Sequence, residues 1–177
     1  MKTEQIGENM NLNPDNIENY NYDSFIPDNF MPLMRFSESP PLGSISPDFS
    51  LWSLDQEETK LSELWANHEY LVVEFGSFTW PYCGMAALSM NALAEKFTAN
   101  NFGSIFLYTN EAHPGEHYPH LTAMEQKYDN AKDLRDIYKV SRPIYLDALE
   151  GPCHRAFGSM PNMTWIFNKS GTIIYKS

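Results

Sequence analysis

The sequence predicts an α/β domain in which a central mixed sheet carries helices on both faces, and three stretches carry that prediction. The apolar run Leu71-Val72-Val73-Glu74-Phe75 is short and closed by Gly76, as a buried central strand of a parallel sheet is. Pro81 then fits a first helical turn, where its missing N–H has no partner to lose. After it, Cys83, Ala86, Ala87, Met90, Leu93, Ala94 and Phe97 recur at three- and four-residue spacing, so one face of an amphipathic helix packs back on the sheet. Ile105-Phe106-Leu107-Tyr108 is a second buried strand, and strand, helix and strand make a right-handed parallel crossover.

The remaining elements follow in order. Residues 1–40 are Asn-, Asp- and Tyr-rich with scattered prolines and no sustained period, which predicts an irregular N-terminal extension. Its apolar residues Phe25, Ile26, Phe30, Met31, Leu33, Met34 and Phe36 are too many for a solvated tail, so it should drape over the main domain. Pro40-Pro41-Leu42-Gly43 marks the boundary, and a single domain runs over 41–177. Alternation over 47–54 predicts a half-buried strand, 55–58 a turn and 60–65 a short helix. Residues 122–138 read as a helix with Met124, Tyr128, Ala131, Leu134, Ile137 and Tyr138 inward, and 143–146 as a third parallel strand. A short helical passage over 151–158 precedes two strands, 163–167 and 172–176, joined as an antiparallel hairpin at Asn168-Lys169-Ser170-Gly171.

Composition bounds the function. The chain has 177 residues, 42% of them hydrophobic, which is enough for one real core. With 12 basic against 23 acidic residues, a formal charge of −11 disfavours nucleic acid and anionic membrane surfaces as partners. Two cysteines are too few for a disulfide scaffold, and no apolar segment has the length of a signal peptide or a bilayer span, so a soluble, cytoplasmic protein is expected.

Candidate chemistry gathers at two loops. Cys83 lies in the first turn of the central helix, where the helix N-terminus favours a thiolate; its apolar neighbours equally fit an inert core thiol. Ser77 and Thr79 either hydrogen-bond a reacting group or cap that helix. The loop Thr109-Asn110-Glu111-Ala112-His113-Pro114-Gly115-Glu116 leaves the C-terminal end of a parallel strand, where open α/β sheets bind ligands. His113, His117, His120 and Glu116 match no closed metal-site spacing, so no metal is expected. Cys153 reads as structural, with a Cys83–Cys153 disulfide open only because both follow strand ends of one sheet.

The order of elements is that of a thioredoxin-like fold of the peroxiredoxin or redoxin type. Pro47-Asp48-Phe49, Leu54-Asp55 and Leu61-Ser62 resemble a redoxin opening. Phe75-Gly76-Ser77-Phe78-Thr79-Trp80-Pro81, together with Glu111-Ala112-His113-Pro114, resembles the iodothyronine deiodinase family, over about residues 41–176. The resemblance implies thiol- or selenol-dependent reductive deiodination of an iodinated aromatic such as an iodothyronine. It implies catalytic positions at 80, Cys83, Glu111 and His113, substrate contacts at Ser77, Thr79 and Pro161, and a cis peptide before Pro161.

In that family the residue between the Thr and the Pro is selenocysteine or cysteine; here it is Trp80, which has no nucleophile. Either the position is substituted, or a selenocysteine codon, UGA, has been read as tryptophan. No bound cofactor is implied; the partners are a small-molecule substrate and an external thiol reductant, and the oligomeric state is open, a homodimer included. The other readings are a thiol peroxidase-like redoxin using Cys83 and an inactive thioredoxin-fold binding module. Redoxins usually close with a helix over the sheet, so a chain ending on its last strand implies truncation or an exposed sheet face.

Overall fold

A computed structural model describes residues 19–177, and the expectations that fall on residues 1–18 lie outside them. Its strands are β1 (Ser50–Ser53), β2 (Glu58–Lys60), β3 (Tyr70–Gly76), β4 (Phe102–Tyr108), β5 (Ile144–Leu146), β6 (Met163–Asn168) and β7 (Ile173–Lys176). They form one sheet in the order β2-β1-β5-β4-β3-β6-β7. The apolar runs identified in the sequence, β3 and β4, pair in parallel at its centre, with β5 parallel to β4. Antiparallel pairs flank them: β1 on β5, β6 on β3 and β7 on β6. The stretch predicted as a turn over 55–58 is shorter than expected, because β2 begins at Glu58 and pairs back on β1.

The α-helices of the described residues are α1 (Pro27–Phe30), α2 (Leu61–Ala66), α3 (Pro81–Thr98), α4 (Met124–Tyr138) and α5 (Pro152–Ala156), with 3-10 turns at Met31–Leu33 and Phe36–Glu38. Side chains alternate across the sheet, so β3 sends Leu71, Val73 and Phe75 to one core with Leu61, Trp65, Cys153, Phe157 and Trp165. The second core lies on the opposite face, where Phe106, Tyr108, Ile144 and Leu146 meet Cys83 and Ala87 of α3 and Tyr128, Ala131 and Leu134 of α4. Cys83 and Cys153 therefore sit in different layers and both are free thiols, which overturns the disulfide.

Helix faces differ from the sequence reading in two places. In α4, Lys127 and Asn130 are buried with Tyr128, Ala131 and Leu134, whereas Ile137 is 56% exposed. Both polar residues go inward because each has an acceptor there, Ala148 O for Lys127 Nζ (3.1 Å) and Glu111 Oε1 for Asn130 Nδ2 (2.9 Å). In α3 only Cys83 and Ala87 are buried, while Leu93 and Phe97 are 49% and 40% exposed. Those two line a groove of about 300 Å³ with Val72, Met90, Thr164 and Ile166. A buried ion pair crosses the α3 side of the sheet, with Arg142 Nη2 2.7 Å from Glu74 Oε2. Its N–H bonds do not point along the contact, so it acts as a charge pair rather than an aligned hydrogen bond.

Candidate functional site

Gly76 and Tyr108, the last residues of β3 and β4, are register partners, so the two loops leaving them start side by side. Side chains from one loop hold the other. Ala112 N–H donates to Ser77 Oγ (3.2 Å), and His113 N–H donates to Thr79 Oγ1 (3.0 Å). Neither hydroxyl caps α3, whose N-cap, Trp80, makes no side-chain hydrogen bond. Thr79 has a stronger partner than a helix amide: its hydroxyl donates to Glu111 Oε2 at 2.8 Å, a bond to an acidic side chain.

Glu111 is the hub. It is 2% exposed, and its Oε2 also takes Thr79 N–H (3.2 Å) while Oε1 takes Asn130 Nδ2 (2.9 Å) and the Tyr108 hydroxyl. The backbone of Phe78 is pinned as well, its N–H donating to Tyr108 Oη (3.1 Å) and its carbonyl accepting from Tyr138 Oη (3.0 Å). Position 80 is thus presented from a loop whose polar groups are tied to β4, α4 and the facing loop, which is the preorganisation a reacting group needs.

Trp80 and His113 face each other as near-parallel rings, centroids 5.2 Å apart and 14° between planes. Phe25, from the N-terminal segment, lies against both, 3.8 Å from His113 and 6.3 Å from Trp80, and Phe30 stacks on Phe25 at 4.1 Å. Burial under this cluster holds the His113 imidazole below its usual 6.5.

Cys83 is not an exposed thiolate. It is 1% exposed beneath Gly76, where any Cβ would lie 2.3 Å from Sγ, and Asn162 Nδ2 approaches the sulfur at 3.6 Å. Burial foremost, and then the carboxyl of Glu74, push the thiol up to about 12, which outweighs the helix N-terminus and keeps it neutral at pH 7. Pro161 is buried and its peptide bond is trans, contrary to expectation. The chain makes this turn instead through Gly158 and Ser159, both at positive φ, with Met160 O held by His154 Nε2 (2.9 Å). His117 and His120 do not join the cluster, and among the described residues no three His, Cys, Asp or Glu side chains converge as a metal site.

The described part of the N-terminal segment, from Tyr20 on, drapes over this end of the sheet. Tyr20 is fully buried, its hydroxyl donating to His154 Nδ1 (2.8 Å) and its carbonyl accepting from Asn110 Nδ2 (2.9 Å). Its ring packs where Gly151, at φ +64°, leaves no Cβ. Tyr22 Oη donates to Ala112 O (2.8 Å), inside the Glu111–His113 loop. Sequence reasoning missed Tyr108 and Asn130 because each reads as an ordinary core or surface position. It placed Phe25 in a draping segment without a partner.

No family model matches the chain, and no curated protein matches it. Solved structures do. The chain is similar to a hypothetical protein from Sinorhizobium meliloti, with TM-score 0.63 and 16% identity over 78% of this chain and 71% of that one. A putative thiol:disulfide interchange protein, DsbE, from Chlorobium tepidum superposes with TM-score 0.62 and 18% identity, covering 78% and 85%. Peroxidoxin BcpB from Mycobacterium tuberculosis superposes with TM-score 0.56 and 16% identity, covering 77% and 84%. The fold is thioredoxin-like, a mixed α/β sheet of the redoxin kind. Among the described residues no helix is long and apolar enough to cross a membrane.

Proposed function

We propose that the chain carries a reductive site of the iodothyronine deiodinase type, which removes iodine from an iodinated aromatic at the expense of an external thiol, with Trp80 where the nucleophile belongs. The observation that supports this is convergence: two motifs some 30 residues apart in sequence meet through Thr79 and Glu111, and stack His113 on position 80. A thiol or selenol at position 80 would attack the iodine, forming an S–I or Se–I bond as the C–I bond breaks. The ring carbon takes a proton, for which His113 is the adjacent group. A dithiol then releases iodide, ends as a disulfide and restores the nucleophile. Glu111 holds the two loops rather than moving the proton, since both its oxygens are occupied. With tryptophan at position 80 the chain binds the ring without turning it over. The reading fits a reducing cytoplasm, and Cys83-based peroxidase chemistry lacks an accessible thiolate.

Trp80→Cys, the unchanged chain and Cys83→Ser should be assayed for iodide release from an iodotyrosine-type substrate under excess dithiol, and for peroxide consumption. Iodide release by Trp80→Cys, retained when Cys83→Ser is added and absent with Trp80, is the expected outcome. A folded Trp80→Cys protein that releases none removes the enzyme reading and leaves the binding module. Loss of a pre-existing activity in Cys83→Ser would make Cys83 the nucleophile. Intact mass of protein from its own source tells tryptophan from selenocysteine at position 80.

A further inference from the structure

We infer that the Trp80–His113 floor is a seat for a planar aromatic ring and that the chain keeps it occupied with its own Phe25. The inference rests on the deiodinase-type reading for the ligand's iodine, though not for its ring. Trp80 and His113 lie near-parallel with centroids 5.2 Å apart, and Phe25 packs against the pair, its centroid 3.8 Å from the imidazole at 45° and 6.3 Å from Trp80. Ring pairs sit about 4.5–7 Å apart, so nothing can enter between Phe25 and His113. Phe30 stacked behind Phe25 with 12° between planes closes the outer side. An aromatic ligand therefore reaches His113 only when Phe25 leaves.

The segment carrying Phe25 is built to leave. On its upstream side the chain is fastened by Tyr20 and Tyr22, and downstream Leu33 is buried and Arg35 N–H donates to Gly158 O (2.9 Å). Between these anchors, α1 buries no residue, and Ile26 and Met31 are 49% and 62% exposed. A short stretch with firm ends and few buried contacts opens at low cost while the anchors hold. Phe25 thus acts as an internal competitor: the ligand that displaces it is a ring of its own shape, a phenol or an iodinated phenol, rather than an aliphatic or a peptide.

The test uses phenol and 4-iodophenol, titrated by calorimetry into the full chain and into Phe25→Ala. Removing a competing ring contact should tighten binding by about tenfold. In parallel, carbethoxylation of His113, followed by peptide mass, should speed up in the variant. Phe30→Ala, which strips the outer ring from Phe25, should move both readouts the same way by a smaller factor. Equal gains for both phenols support the seat and tell against the iodine-specific reading; a larger gain for 4-iodophenol supports both. Binding no tighter than in the unchanged chain, or an unchanged His113 modification rate, overturns the proposal.

Discussion

Replacing Glu111 by alanine should cost about 3–5 kcal/mol of stability and loosen the loop that presents position 80. The carboxyl is 2% exposed and takes four hydrogen bonds, from Thr79 N–H and hydroxyl, Asn130 Nδ2 and the Tyr108 hydroxyl. Alanine leaves those donors buried without an acceptor, and an orphaned donor costs more than its bond contributed. Glu111→Gln separates the anchoring role from proton transfer. Its carbonyl can keep Asn130 and Tyr108, while its NH2 meets the Thr79 N–H, so about 1–2 kcal/mol should be lost. Urea midpoints read the stability, and amide exchange at Phe78 and Thr79 should accelerate in the alanine variant. A loss below about 1 kcal/mol for Glu111→Ala would mean that the network is not what holds the loops together. In a Trp80→Cys background, Glu111→Gln should keep most iodide release, whereas a general acid at this position would not tolerate the amide.

The central crossover was legible because apolar runs and a helix-initiating proline leave little choice: 71–75 and 105–108 became the paired β3 and β4, and Pro81 opens α3 as expected. The two loop motifs were legible too, since strand ends of one crossover must be neighbours. What periodicity cannot show is which polar residue has a buried partner. Lys127 and Asn130 look like solvent positions until Ala148 O and Glu111 supply acceptors, and Ile137 looks like core until α4 turns it outward. Which of the two readings of Cys83 holds was hidden for a related reason. A helix N-terminus lowers a thiol's pKa by a modest local field, but the packing of Sγ under Gly76 depends on tertiary contacts and dominates. The N-terminal segment was placed by its apolar content, yet its anchor was hidden, because His154 lies in a helix of five residues whose role emerges only when Tyr20 arrives.

Acidification should release that anchor. His154 Nε2 donates to Met160 O, so Nδ1 is the unprotonated acceptor of the Tyr20 hydroxyl and the ring is neutral. Burial first, assisted by the charge of Lys127, holds its pKa down at about 4 against the usual 6.5. The unfolded chain therefore binds a proton that the folded one refuses between those values. Stability from this group is fully present above pH 6.5 and drains away as pH falls towards 4, about 3 kcal/mol in total. Asp147 works the other way: burial raises its carboxyl, so protonation relieves the folded state at the acid end. The contribution of His154 is isolated by His154→Gln, whose amide does not titrate. At pH 7.5 the variant should be the less stable protein, having lost the fit to Tyr20 and Met160. By pH 4 the gap in urea-unfolding free energy should have shrunk by about 3 kcal/mol, because only the unchanged chain has an imidazole to protonate. Tyr20→Phe should raise the exchange rate of the amides at 20–25 at neutral pH, mimicking acid on the anchor alone. If the gap between His154→Gln and the unchanged chain stays constant from pH 7.5 to 4, the imidazole is not the acid-labile tie of the N-terminal segment.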